Sequence, residues 1–143
     1  MIPGRILGID YGSRRVGLAV SDPLQMIAQG AGTIGNTPDL THHIAAIACE
    51  RTVVRIVVGM PYGADGEMSP KGREVEAFIR TLTDLVGVPV DTWDESFTSV
   101  GAQRAFIDGG MKKKERREKG RVDEMAARLM LQEYLDNRHQ GHP

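Results

Sequence analysis

Acidic side chains stand where two predicted strands end and where the last predicted helix begins. Asp10 ends the first strand, Asp94 and Glu95 end the fifth, and Asp123 lies in the first turn of the final helix. Ligand-binding groups in open α/β sheets gather at the C-terminal ends of strands. Three acidic groups there, one from each of these elements, would repel each other unless a cation joined them, and Mg²⁺ and Mn²⁺ prefer such oxygen ligands. Two such ions can activate water and stabilise the leaving oxygen of a phosphodiester, so the pattern suits phosphodiester hydrolysis.

Each of these carboxylates also has an ordinary structural explanation. An aspartate placed before Tyr11 and Gly12 is often only a turn former. The Asp94-Glu95 pair can be a polar strand exit, and Asp123 can complement the dipole of its helix. Composition does not make these residues converge, and alternation along the strand does not choose between Asp94 and Glu95.

Positive charge is concentrated in one short stretch of the chain. The net charge is −1, but residues 111–121 (MKKKERREKGR) carry +5, so the rest of the chain carries −6. A cationic stretch that leads into Asp123 suits a polyanionic substrate, although a solvated loop is the alternative. Arg14 and Arg15 follow the turn beside Asp10 and are either phosphate contacts or solvated surface residues. The predicted nucleic-acid-binding residues are Arg14, Arg15, Lys112, Lys113, Lys114, Arg116, Arg117, Lys119 and Arg121.

The elements that must position these residues follow from the hydrophobic pattern. Three strands at about residues 5–10, 15–21 and 26–34 lie close enough in sequence for an antiparallel meander. Two helix-connected strands follow, at about 53–58 and 88–94. The nearly continuous run of β-branched residues in the first predicts a strand buried on both faces.

The intervening helices have recognisable start signals. Thr37-Pro38 predicts an N-cap and a first-turn proline for one helix, and Ser69-Pro70 opens the next. Further helices are predicted at about 99–107 and after Gly120. We therefore expect an α/β fold with a mixed five-stranded sheet and helices packed on it, in which strands one and five can lie side by side.

Size and composition are those of an ordinary globular protein. The chain has 143 residues, 41% hydrophobic and 26% charged, which predicts one domain over 1–138 and a disordered tail over 139–143. A single cysteine excludes an internal disulfide and fits a reducing compartment. The sequence has no apolar run long enough for a membrane span and no signal-peptide core, so we expect a cytoplasmic protein without a membrane partner.

Four motifs, in order, resemble the YqgF/RuvX family of RNase H-like nucleases. They are LGIDYGSRRVGLAVSD (7–22), VVGMPYGADGEMSPKGREVEAFIRTL (57–82), VDTWDESFTS (90–99) and KGRVDEMAARLMLQEYL (119–135). Together they span nearly the whole chain. A lone Asp-x-Gly would not be specific, but the four motifs in order are highly specific.

The resemblance implies an RNase H-like fold and a catalytic, metal-binding set of Asp10, Glu95 and Asp123, with Glu95 chosen over Asp94. It implies Mg²⁺ or Mn²⁺ as cofactor, as two ions, and nucleic acid, either pre-rRNA or branched DNA, as partner. The family commonly has an arginine after the catalytic glutamate, where this chain has Ser96. A serine cannot hold a phosphate bidentately as arginine does, so we expect Arg14, Arg15 or the basic stretch to substitute.

The leading hypothesis is therefore a metal-dependent endonuclease that processes the 5′ end of pre-16S rRNA in ribosome biogenesis, as a monomer or weak homodimer. The alternative is a Holliday junction resolvase, which needs a dimer because paired cuts need two sites. A non-catalytic nucleic-acid-binding adaptor is a third reading. A kinase-like ATPase is disfavoured, because such enzymes enclose a nucleotide between two domains and this chain predicts one.

Overall fold

The computed structural model describes residues 4–61, 69–94 and 119–139, with the backbone alone for 119–121. Five strands are β1 (Arg5–Tyr11), β2 (Arg15–Ser21), β3 (Ala28–Gly35), β4 (Val53–Met60) and β5 (Val90–Asp94). Three helices are α1 (Leu40–Glu50), α2 (Pro70–Leu85) and α3 (Lys119–His139). The predicted helix at about 99–107 lies outside the described residues.

The strands form one mixed sheet in the order β3-β2-β1-β4-β5. β1, β2 and β3 pair antiparallel, as expected of a meander, whereas β4 is parallel to both β1 and β5. The α/β fold class and the mixed five-stranded sheet are confirmed. The expected neighbours were wrong, however: β4 lies between β1 and β5. From Ile56 to Met60 this strand is buried on both faces, as expected for a strand inside a sheet.

Helices cover both faces of the sheet, and alternation along the strands divides the core in two. One cluster joins Leu7 and Ile9 of β1 to α1 and α2. The other joins Ile6 of β1 and Val57 of β4 to α3. Odd and even residues of β1 therefore face different helices, which decides where each polar residue of that strand can act.

Two element starts differ from the sequence prediction because side chains bond locally. β3 begins at Ala28 and not at Met26, since the Asp22 carboxylate accepts hydrogen bonds from the amides of Met26 and Ile27, each 2.8 Å long. The predicted N-cap at Thr37 was also wrong. Its hydroxyl bonds the Asp39 carboxylate, and α1 begins at Leu40 with Asp39 as N-cap.

The chain's last helix is longer than the sequence suggested at both ends. α3 begins at Lys119, so Gly120 lies within its first turn and does not precede it. Asp123, predicted in the first turn, therefore lies beyond it. It continues through His139, which the predicted tail had included, and His139 Nε2 lies 2.6 Å from the Gln25 carbonyl oxygen. Residues 140–143 lie outside the described part of the chain. The contact between His139 and Gln25 ties the end of α3 to the β2–β3 turn.

Candidate functional site

Asp10 is a buried carboxylate near the end of β1, with 3% of its surface exposed. Alternation along β1 places it on the same face as Ile6 and Gly8, which pack against α3. A buried carboxylate is costly unless a partner or a cation compensates its charge. Because Asp10 is a predicted ligand, the α3 side of this end of the sheet is the candidate site.

Gly17 brings α3 to that position. It is the cross-strand partner of Asp10 in the β1–β2 register. A Cβ atom at residue 17 would lie 2.1 Å from the backbone carbonyl oxygen of Asp123, closer than any real contact. The glycine thus lets the first turns of α3 touch the sheet directly beside Asp10, because no side chain separates the two backbones.

Asp123 is the second buried carboxylate at this end of the sheet, on the α3 side, which we call the corner. The exposed fraction of Asp123 is 8%. Its Oδ2 accepts a hydrogen bond from Arg15 Nε at 3.2 Å. The structure therefore places two predicted ligands that are far apart in sequence, Asp10 and Asp123, on either side of Gly17, on the same face of the sheet. It also places Arg15, predicted as a nucleic-acid contact, against one of them.

Glu124 holds α3 against β3. The sequence did not identify this residue as important. Its carboxylate accepts a hydrogen bond from the backbone amide of Gly32. A Cβ at Gly30 would lie 2.7 Å from the Glu124 carboxyl carbon, so a side chain at residue 30 would displace the Glu124 carboxylate. The glycine-rich run AQGAGTIG of β3 was the available signal, since glycines in a strand often mark close approach of another element.

We expect Glu124→Ala to lower the free energy of unfolding by about 2 kcal/mol, because a charged acceptor is removed and the Gly32 amide loses its partner. Glu124→Gln keeps an oxygen acceptor and serves as the matched control. Urea denaturation of both variants measures the difference. Equal midpoints for Glu124→Ala and the wild type would show that this bond does not hold α3.

Asp94 and Trp93 of β5 lie on opposite faces of the sheet. Asp94 pairs with Met60, whose side chain belongs to the α1–α2 core, so Asp94 lies on the face away from Asp123. Trp93 faces α3, where its ring meets Tyr134 edge-on with centroids 5.9 Å apart. Glu95, the third predicted ligand, lies outside the described residues.

Tyr11 follows Asp10 but takes no part in this corner. Its hydroxyl donates to Glu74 Oε1 at 2.9 Å, and its ring packs against Phe78 with centroids 4.8 Å apart. Burial, above all, raises the pKa of the Tyr11 hydroxyl, and the neighbouring Glu74 raises it further. The phenol therefore stays protonated as a donor on the α1–α2 face.

The donor set fits a hard divalent cation in part. Asp10 and Asp123 supply carboxylate oxygens, the ligand type that Mg²⁺ and Mn²⁺ prefer. Within residues 4–61, 69–94 and 119–139, no group of three His, Cys, Asp or Glu side chains could hold a metal ion. A third carboxylate would have to come from outside that part of the chain, where Glu95 lies.

The predicted basic residues divide into three groups. Arg14 is exposed, and Arg15 pairs with Asp123. Lys119 and Arg121 lie in the first turn of α3, where the structure describes only the backbone. The others, Lys112, Lys113, Lys114, Arg116 and Arg117, lie outside the described residues. None of the helices in the described part of the chain is long and apolar enough to cross a membrane.

Known proteins resemble this chain over almost its full length. The family model described as "RuvX: Holliday junction resolvase" matches residues 4–137. A Bacteroides fragilis protein named "Putative pre-16S rRNA nuclease" is 42% identical over 135 residues, covering 94% of this chain and 97% of that protein. A Roseiflexus protein of the same name is 37% identical over 137 residues, covering 94% and 96%.

Solved structures share the fold at low sequence identity. Thermus thermophilus RuvC in complex with a Holliday junction substrate aligns with a TM-score of 0.57 and 16% identity, covering 95% of this chain and 96% of that one. Fowlpox virus resolvase in complex with Holliday junction DNA aligns with a TM-score of 0.53 and 14% identity, covering 94% and 98%. The RNase H-like fold of the RuvC resolvases is therefore confirmed, and the family model together with the similar bacterial proteins shows that this chain belongs to the RuvX family.

Proposed function

We propose that this protein is a nuclease that processes the 5′ end of pre-16S rRNA during ribosome biogenesis. One observation carries the proposal: buried Asp123 lies with its backbone against Gly17, the cross-strand partner of buried Asp10, in a chain whose relatives are named as pre-16S rRNA nucleases. A cytoplasmic location, expected from the sequence, fits such a substrate.

In this proposal Asp10, Asp123 and Glu95 hold Mg²⁺ or Mn²⁺, as two ions. Bound there, the cations would supply activation of water and stabilisation of the leaving oxygen. The chain's own contribution is preorganisation. Asp10 and Asp123 are both buried, and the close contact at Gly17 holds the backbone of Asp123 against the strand beside Asp10.

Basic residues would bind the phosphate backbone of the substrate. Arg14 is exposed in the turn after Asp10, and the stretch 111–121 leads into α3, which carries Asp123. Contacts to phosphate fix the position of a nucleic acid without reading its sequence. A substrate chosen by shape, such as a structured RNA end, suits this arrangement.

The decisive experiment compares two substrates with one protein preparation at one salt concentration. A pre-16S rRNA 5′ fragment and a four-way DNA junction are each incubated with Mg²⁺, with Mn²⁺ and with EDTA. We expect cation-dependent cleavage of the RNA. Tight binding without cleavage of either substrate would favour the adaptor reading and contradict a nuclease.

Junction resolution is the second candidate, because the family model carries that description and the fold is that of junction resolvases. It requires two active sites related by a two-fold axis, so we expect it only where protein concentration supports a homodimer. Light scattering during cleavage of a cruciform plasmid tests this. Coordinated paired cuts by a stable dimer, without cleavage of pre-rRNA, would reverse the ranking.

Replacing Lys112, Lys113 and Lys114 by glutamate should weaken binding about equally for different sequences. Each lost phosphate contact should lower the slope of log K against log salt by roughly 0.9 on duplex DNA. Fluorescence anisotropy at several salt concentrations measures the slope. An unchanged slope would show that these lysines do not contact the substrate.

A further inference from the structure

The ion pair between Arg15 and Asp123 joins a buried acid to a partly exposed base. The Arg15 side chain is 36% exposed and that of Asp123 only 12%. Arg15 is the first residue of β2, and its Nε donates to Asp123 Oδ2 at 3.2 Å. The guanidinium therefore has room to move into solvent, whereas the carboxylate is held by the helix.

Two positive groups cannot share this carboxylate without a cost. An arginine side chain stays charged in proteins, so it cannot relieve the conflict by losing a proton. A divalent cation on the same oxygens would stand within a few ångströms of the guanidinium and repel it. The pair seen between Arg15 and Asp123 and a cation site on Asp123 are therefore competing arrangements.

We propose that Arg15 holds Asp123 in the cation-free protein and, when a divalent cation takes that carboxylate, turns outward to bind a phosphate of the nucleic acid. The inference rests on the proposed function, because it needs a cation on Asp123. It makes Arg15 a substrate-contacting residue and offers a substitute for the family arginine that Ser96 replaces.

This exchange couples the two binding events. With Arg15 released, nucleic acid gains a phosphate contact only when the cation is bound. By thermodynamic reciprocity, nucleic acid must then raise the affinity for the cation by the same factor. A guanidinium that only bound phosphate, or only supported the fold, would not link the two affinities.

The first measurement is Mn²⁺ affinity without nucleic acid, read from the electron paramagnetic resonance signal of free Mn²⁺. Arg15→Gln removes the competing charge beside a divalent ion, so we expect its affinity to rise about tenfold above the wild type. Arg15→Lys keeps the charge and should stay closer to the wild type. Arg14→Gln removes the same charge from the neighbouring exposed position and should change Mn²⁺ affinity by less than about twofold, because exposed charges are screened.

The second measurement is affinity for a short RNA hairpin in EDTA and in Ca²⁺, with the RNA checked on a gel for integrity. We expect Ca²⁺ to strengthen binding by the wild type and this gain to fall at least about threefold in Arg15→Gln. A loss of RNA affinity that is equal in EDTA and in Ca²⁺ would overturn the exchange.

The outcomes separate this inference from the proposed function. If the wild type binds Mn²⁺, Asp10→Asn does not, and Arg15→Gln matches the wild type, the cation site stands and the exchange is wrong. If no Mn²⁺ binds to the wild type or to any variant, the cation site itself is wrong and the exchange falls with it.

Discussion

Asp10→Asn should reduce cleavage of a pre-16S rRNA fragment at least ~10²-fold while leaving the fold intact. The amide keeps the shape of the side chain but loses the charge that a cation needs, so the chemical step loses its activated water. Stability in EDTA should be close to that of the wild type, because asparagine keeps the size of the side chain and an oxygen acceptor. Single-turnover cleavage and thermal unfolding measure the two effects.

Mn²⁺ adds an independent readout for the same variant. A ligand that binds only the folded state raises its melting temperature, so Mn²⁺ should stabilise the wild type and not Asp10→Asn. Asp94→Asn is the matched control, because Asp94 lies on the opposite face of the sheet and should be dispensable for cleavage. Near wild-type cleavage by Asp10→Asn in Mg²⁺ would contradict the proposed metal site.

Gly17→Ala should lower the free energy of unfolding by about 3 kcal/mol and also impair cleavage. Its new methyl group would lie 2.1 Å from the Asp123 carbonyl oxygen, and a helix backbone cannot move aside as the end of a flexible side chain can. Relief requires a shift of α3, which carries Asp123 away from Asp10. Urea denaturation and cleavage by the folded fraction measure the two consequences.

Alanine substitutions at two other glycines should destabilise the protein less than Gly17→Ala does. A Cβ at Gly35 would lie 3.7 Å from Thr37 Cγ2, an ordinary contact, so Gly35→Ala should change stability by less than about 0.5 kcal/mol. A Cβ at Gly8 would lie 2.9 Å from the Leu131 side chain, which makes Gly8→Ala intermediate. Equal urea midpoints for Gly17→Ala and Gly35→Ala would contradict the close approach of α3 to β2.

Local structure was predictable where neighbouring residues supply the bonds. Ser69 caps α2 as expected, accepting a hydrogen bond from the Gly72 amide at 3.1 Å, with Pro70 at the first position. The same kind of signal misled at Thr37, because its hydroxyl had a nearer partner in Asp39. Both outcomes depend on contacts within three residues.

Strand existence was predictable, but strand order was not. Apolar runs, alternation and turn residues together predicted all five strands, because burial of one or both faces of a strand leaves a pattern in the sequence. The hydrophobic pattern does not determine which strands are neighbours in the sheet. The insertion of β4 between β1 and β5 means that Asp10 and the end of β5 are separated by two strand spacings of roughly 5 Å each.

The sequence by itself indicated the described strands and helices, the mixed sheet and, through its four motifs, the family and the choice of Asp10, Glu95 and Asp123 as candidates. Tertiary structure alone decided that Asp10 and Asp123 share one face of the sheet, that Asp94 lies on the other, and that Arg15 pairs with Asp123. The physical reason is the distance along the chain over which each kind of interaction acts. Local signals act over a few residues, whereas Arg15 and Asp123 are 108 positions apart and meet because Gly17 leaves no side chain between β2 and α3.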